Sequence, residues 1–142
     1  MNYQKFLKTA GLFLLLAPMV ELCNAQNGSW QPLWLSTTNV FKGIEGFYQL
    51  SNCNGSDVVF IKLINHNGFK VKAGWKNVAM DNSGQQKQSA SVQDSVTIAP
   101  NAQVEGSCTG AAKLQVKLSD FGITGATFKA FMCSGFDYKI YQ

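Results

Sequence analysis

"DVVFIKLINHNGFKVKAGWK", residues 57–76, poses a choice between a hairpin and a crossing. Asn67-Gly68 is a two-residue turn former, and a tight hairpin there pairs residues placed symmetrically about it. Phe60 would then face Trp75, and Ile64 would face Val71. The same register would set Val59, Ile61 and Leu63 against Lys76, Gly74 and Lys72. One face would be apolar on one strand and cationic on its neighbour. That conflict vanishes if the chain crosses between two sheets at "NHNG", because each strand then turns its own apolar side inward. The run Val58–Ile61 then reads as a central strand covered on both sides. Trp75 becomes a core residue, and His66, among turn-forming asparagine and glycine, a solvent-facing turn residue.

Outward from this stretch the same period of two recurs. "AKLQVKL" (112–118) alternates Ala112, Leu114, Val116 and Leu118 with Lys113, Gln115 and Lys117. "FDYKIY" (136–141) alternates Phe136, Tyr138 and Ile140 with Asp137, Lys139 and Tyr141. Strict alternation is the mark of a half-buried strand with one wet face. Further strands are expected in "PLWLSTTNVF", "IEGFYQL", "SVTIA" and "ATFKAFM", separated by turn clusters such as "NCNGSD" and "DNSGQQKQS". The expectation is an all-β antiparallel sandwich of seven or eight short strands.

The first residues carry a different signal. Lys5 and Lys8 precede an apolar run from Ala10 to Val20, followed by Cys23-Asn24-Ala25. This order is that of a secretory signal peptide over residues 1–25, with the run too short for a membrane anchor. A lipid anchor on Cys23 is the alternative, although Leu22 stands where a small residue is expected. Residues 26–142 then form a single domain, secreted or periplasmic, with no membrane span. They carry ten lysines against seven carboxylates, or +3. The chain has no arginine, the residue suited to bidentate phosphate and guanine recognition, and no phosphate loop, so no nucleic-acid partner is expected.

The series "DVVFIKLINHN", Trp75, "VTIAPNAQVEGSC" and "AKLQVKL" resembles strands B, C, E and F of small secreted bacterial immunoglobulin-like domains. The resemblance implies that the strands of Trp75 and "AKLQVKL" share a sheet. It departs from the family in lacking cysteines at mid-strand positions of B and F. On this layout Cys53 and Cys108 lie at one pole, opposite "NHNG", and Cys133, ending a strand, lies near them. The layout alone does not choose the pairing. Cys53–Cys108 is the favoured disulfide, with Cys133 free, and it would stabilise the fold by roughly 4 kcal/mol on the chain-entropy model.

Residues suited to chemistry are sparse. The cysteines lack metal-ligand spacing, the carboxylates are scattered, and "DNSGQQKQ" lacks the alternating ligands of a calcium loop. No metal or cofactor is expected. Two features could mark a ligand-binding surface. Trp30 and Trp34 flank Pro32, where they serve as a sugar-stacking platform or simply tuck against the core. Lys70, Lys72, Lys76, Lys113 and Lys117 would lie side by side if their strands share a sheet, attracting an anionic polymer or merely forming a wet face. The leading expectation is a non-catalytic structural or interaction module with an unidentified protein or glycan partner. A carbohydrate-binding domain comes second. A small hydrolase using His66 with a cysteine or a carboxylate comes third.

Overall fold

Asn54-Gly55, both at positive φ, close a two-residue turn whose twist suits a tight hairpin. It joins β4 (Ile44–Cys53) to β5 (Ser56–Asn65), paired along their whole length from Cys53↔Ser56 to Ile44↔Asn65. At "NHNG" the chain leaves this sheet and enters β6 (Lys70–Asp81) in the other, so the crossing expected from residues 57–76 is observed. The computed structural model describes residues 28–88 and 94–141 and shows an all-β sandwich of two packed sheets. The expected signal peptide, Cys23 and the Ala25 cleavage point lie outside the described residues.

The first sheet runs β1 (Gln31–Pro32), β4, β5, β10 (Gln115–Lys117). β3 (Val40–Phe41) also pairs with β4, and β9 (Gln103–Glu105) with β5. The second sheet runs β2 (Trp34–Leu35), β11 (Phe128–Tyr141), β6, β7 (Gln86–Gln88), with β8 (Asp94–Ile98) also on β6. All pairs are antiparallel except β2 with β11.

Alternation decides what is buried. Val59, Ile61 and Leu63 from β5 meet Val71, Ala73 and Trp75 from β6 in one core cluster. Trp75 is fully buried and stacks on Phe136, with ring centroids 6.4 Å apart. A large aromatic buried so completely is worth roughly 3–5 kcal/mol against truncation to alanine.

Three expectations are corrected. "ATFKAFM" and "FDYKIY" belong to one fourteen-residue strand, β11, because a bulge between Ser134 and Asp137 inserts one extra residue. Gly135, at φ 57°, sits in it. The insertion flips the inward parity, so Phe131 and Cys133 before it and Phe136 after it all face the core. Edge strands, conversely, are cut into short pieces, giving eleven strand segments among the described residues rather than seven or eight.

The second correction concerns "AKLQVKL". Only Gln115–Lys117 is strand, between 3₁₀ turns at Ala112–Leu114 and Leu118–Phe121. Alternation reported burial correctly, with Leu114, Val116 and Leu118 buried, but not extended backbone. Cys108 is tied to Cys53 on β4, across β5 from β9 and β10, so the loop between those strands passes over the outer face. The chain regains the edge of β5 only at Gln115. On that face Val58 and Phe60 are buried against Cys53 and Trp30, although they point away from the core.

The third correction is of sheet membership. β10 lies on β5, not in the sheet of Trp75, and β8 lies on β6 instead. β7 and β8 pair with successive stretches of the long strand they follow, the local route that short connections favour.

Candidate functional site

The outer face of the second sheet unites Trp34 with part of the lysine set. Val71, Ala73 and Trp75 point inward, so Lys70, Lys72 and Lys76 point out and are exposed. On β11 the bulge turns Lys139 to the same face, directly opposite Lys72, and Ser134 pairs with Lys76. Trp34 pairs with Met132, beside Val78 of β6. Its neighbour Leu35 is fully buried, which leaves the Trp34 ring outward and 53% exposed. Asp137, opposite Gly74, is the carboxylate on this stretch, and Ser95 and Thr97 of β8 add hydroxyls at its edge.

Lys113 and Lys117 do not belong to this face. Lys117 pairs with Val58 on the first sheet, and Lys113 stands in a 3₁₀ turn where its charge is felt by Asp94. Lys139 was missed by sequence reading. Its alternation in "FDYKIY" signalled an outward side chain, but nothing in the sequence named its neighbour.

The two tryptophans are parted by a change of sheet. β1 pairs with β4 and β2 with β11, so Leu33 between them plunges into the core while Trp30 and Trp34 emerge on opposite faces. Trp30 packs against Cys53, Val58 and Phe60, and the Lys62 ammonium stands 4.3 Å from its ring centroid. A joint platform of both rings is therefore excluded: Trp30 packs on the outer-face cluster of the first sheet and not on the central core, and Trp34 stays exposed.

His66 is exposed, and its Nε2 lies 3.0 Å from Glu45 Oε2. The structure thus gives it a carboxylate neighbour but no thiol. The Cys53–Cys108 disulfide is at the opposite end of the β4–β5 hairpin, a ten-residue strand or about 30 Å away. Cys133, expected near that pole, is instead buried in the middle of β11, free, and opposite Asn77. Burial and the nearby Asp94 charge push its thiol well above the usual range, which disfavours a nucleophilic thiolate.

A polar chain runs through the adjoining core. Trp75 Nε1 donates to Asn77 Oδ1 at 2.8 Å, and Asn77 Nδ2 donates to Asp94 Oδ2 at 2.6 Å. Burial raises the Asp94 carboxyl above its ordinary value, with the Asn77 hydrogen bond and Lys113 pulling the other way. This chain satisfies buried polar groups beside Trp75. The Asp81 carboxylate accepts from Ser83 and Gln85 of its own turn, which hold it below the usual carboxylate range. No group of three or more potential metal ligands occurs among the described residues. None of their helices is long and apolar enough to cross a membrane.

Compared with protein-family models, curated proteins and solved structures, the chain matches none.

Proposed function

We propose that this protein is an exported, non-catalytic β-sandwich acting as an interaction module through the outer face of its second sheet. Export rests on the charged-apolar-small order of residues 1–25, and the Cys53–Cys108 disulfide suits an oxidising compartment. Kinship with immunoglobulin-like domains is supported by the crossing at "NHNG" and by Trp75 in the core. The positions of β8 and β10 depart from that pattern.

The observation that carries the reading is the face itself: exposed Trp34 and four exposed lysines on adjoining strands, with no ion pair to these lysines among the described residues. An exposed, chemically mixed sheet face is suited to binding a partner laid across it, whereas small-molecule chemistry favours concave, enclosed sites. A carbohydrate-binding role is the second reading, favoured by the outward ring of Trp34.

The test is fractionation of producing cells. The exported chain should begin at Gln26 and stay with the cell envelope or matrix. Lys72→Ser with Lys139→Ser should release it to the medium, whereas His66→Ala should leave it retained. Equal retention of all three forms would count against the face as the contact surface. A lipid on Cys23 would instead explain retention by the anchor.

A further inference from the structure

The net charge of the expected mature chain is concentrated in one place. Residues 26–142 carry ten lysines and seven carboxylates, an excess of three. The outer face built by Lys70–Lys76, Asp94–Ile98 and Ser134–Tyr141 presents Lys70, Lys72, Lys76 and Lys139 against Asp137, also an excess of three. The other six lysines and six carboxylates cancel. The imbalance is therefore a property of this face and not of the surface at large.

The lysines are also placed against their own electrostatic preference. Lys72 and Lys139 face each other across neighbouring strands about 5 Å apart, a like-charge pairing that weakens a sheet. Lys70 follows about 7 Å along the strand and Lys76 lies about 13 Å the other way. All stand within roughly one or two screening lengths of a neighbour at physiological salt. Among the described residues none of the four forms an ion pair, and the close pair of opposite charges is His66 with Glu45. An anionic ligand spanning the rows would relieve this repulsion.

Resting on the interaction-module reading, we propose that this face binds a linear acidic polysaccharide. Its carboxylate or sulfate groups lie over the lysine rows, and a sugar ring stacks on Trp34. Three observations select that class. From the Trp34 level to the Lys70 level the face runs about 25 Å, the reach of a chain and not of one sugar. Lysine is a mobile point charge, suited to anionic groups spaced along a polymer, and no arginine is available for fixed bidentate capture. A half-exposed tryptophan on the same face offers a ring a stacking surface.

The test uses the full processed chain in affinity electrophoresis with polygalacturonate, dextran sulfate, neutral dextran and inorganic polyphosphate. Both acidic polysaccharides should retard it and dextran should not. Raising salt from about 50 mM to about 0.5 M should weaken binding at least tenfold, because the contacts are solvent-exposed charges. Lys72→Ser with Lys139→Ser should lower affinity about tenfold for both acidic polymers, while Lys72→Arg with Lys139→Arg keeps it. Lys113→Ser with Lys117→Ser, off the face, should change nothing. Trp34→Ala should weaken polygalacturonate several-fold and leave polyphosphate unaffected. Melting temperatures of all variants confirm that folding is intact.

Binding that survives removal of Lys72 and Lys139, or capture of polyphosphate alone, overturns the proposal. So does a Trp34→Ala protein with unchanged affinity for both polysaccharides. If the double lysine variant loses envelope retention while the parent binds neither acidic polysaccharide, the interaction module stands and this partner falls.

Discussion

At the crossing between the sheets, Asn65 is fully buried and uses both ends of its amide. Nδ2 donates to the carbonyls of Phe69 and Ala99, each at 2.9 Å, and Oδ1 accepts from the Asn67 backbone N–H at 3.0 Å. His66, next in the chain, makes one exposed contact with Glu45. Removing a buried polar side chain leaves its partners unsatisfied, at about 1–3 kcal/mol, whereas an exposed ion pair contributes about 0–1 kcal/mol. Asn65→Ala should therefore destabilise the protein by about 2–3 kcal/mol, and His66→Ala by no more than about 0.5 kcal/mol, read as shifts in urea midpoint at constant slope. The sequence offered His66, a rare residue, as the notable member of "NHNG". Asn65 looks like any turn asparagine until Phe69 and Ala99, which flank other strands, are brought to it.

Among the elements, β11 shows most plainly how local geometry sets a face. Just before the bulge Phe131 and Cys133 point inward; after it Phe136 and Tyr138 do, and this turns Lys139 toward Lys72. Gly135 holds φ at 57°, and a Cβ built there meets nothing within 4 Å. Its replacement is resisted by the backbone alone, since a left-handed conformation costs other residues about 1–2 kcal/mol. Gly135→Ala should lower stability by about 1 kcal/mol, measurable by thermal melting, without disturbing the packing of Trp75 seen in its fluorescence. Alternation within "FDYKIY" was legible in the sequence. The continuity of this strand with "ATFKAFM" was not, because a bulge looks like a loop when only periodicity is available.

Across the whole molecule, one covalent bond governs the outer face of the first sheet. The Cys53–Cys108 bond ties the loop from β9 to β10 across β5, and Val58 and Phe60 are buried on that face in one cluster with Cys53 and Trp30. The bond closes a separation of 55 residues, worth roughly 4 kcal/mol in chain entropy. Replacing both cysteines by serine should lower stability by about 3–4 kcal/mol and raise binding of an apolar dye as that cluster opens, both checked in denaturant titrations. Retention of full stability would mean that the loop is held by packing alone.

Alternating side chains at residues 57–76 determined the sandwich, the crossing at "NHNG" and the burial of Trp75, because period-two burial depends only on the chain's own neighbours. The absence of arginine and the lysine excess are likewise written in composition, and the expectation of export in the order of residues 1–25. Tertiary structure alone decided that Trp34 shares a face with Lys70, Lys72, Lys76 and Lys139 while Trp30, Lys113 and Lys117 lie elsewhere. Which strands become neighbours follows from how long-range pairings compete for edges, and a single strand's pattern contains no record of that competition.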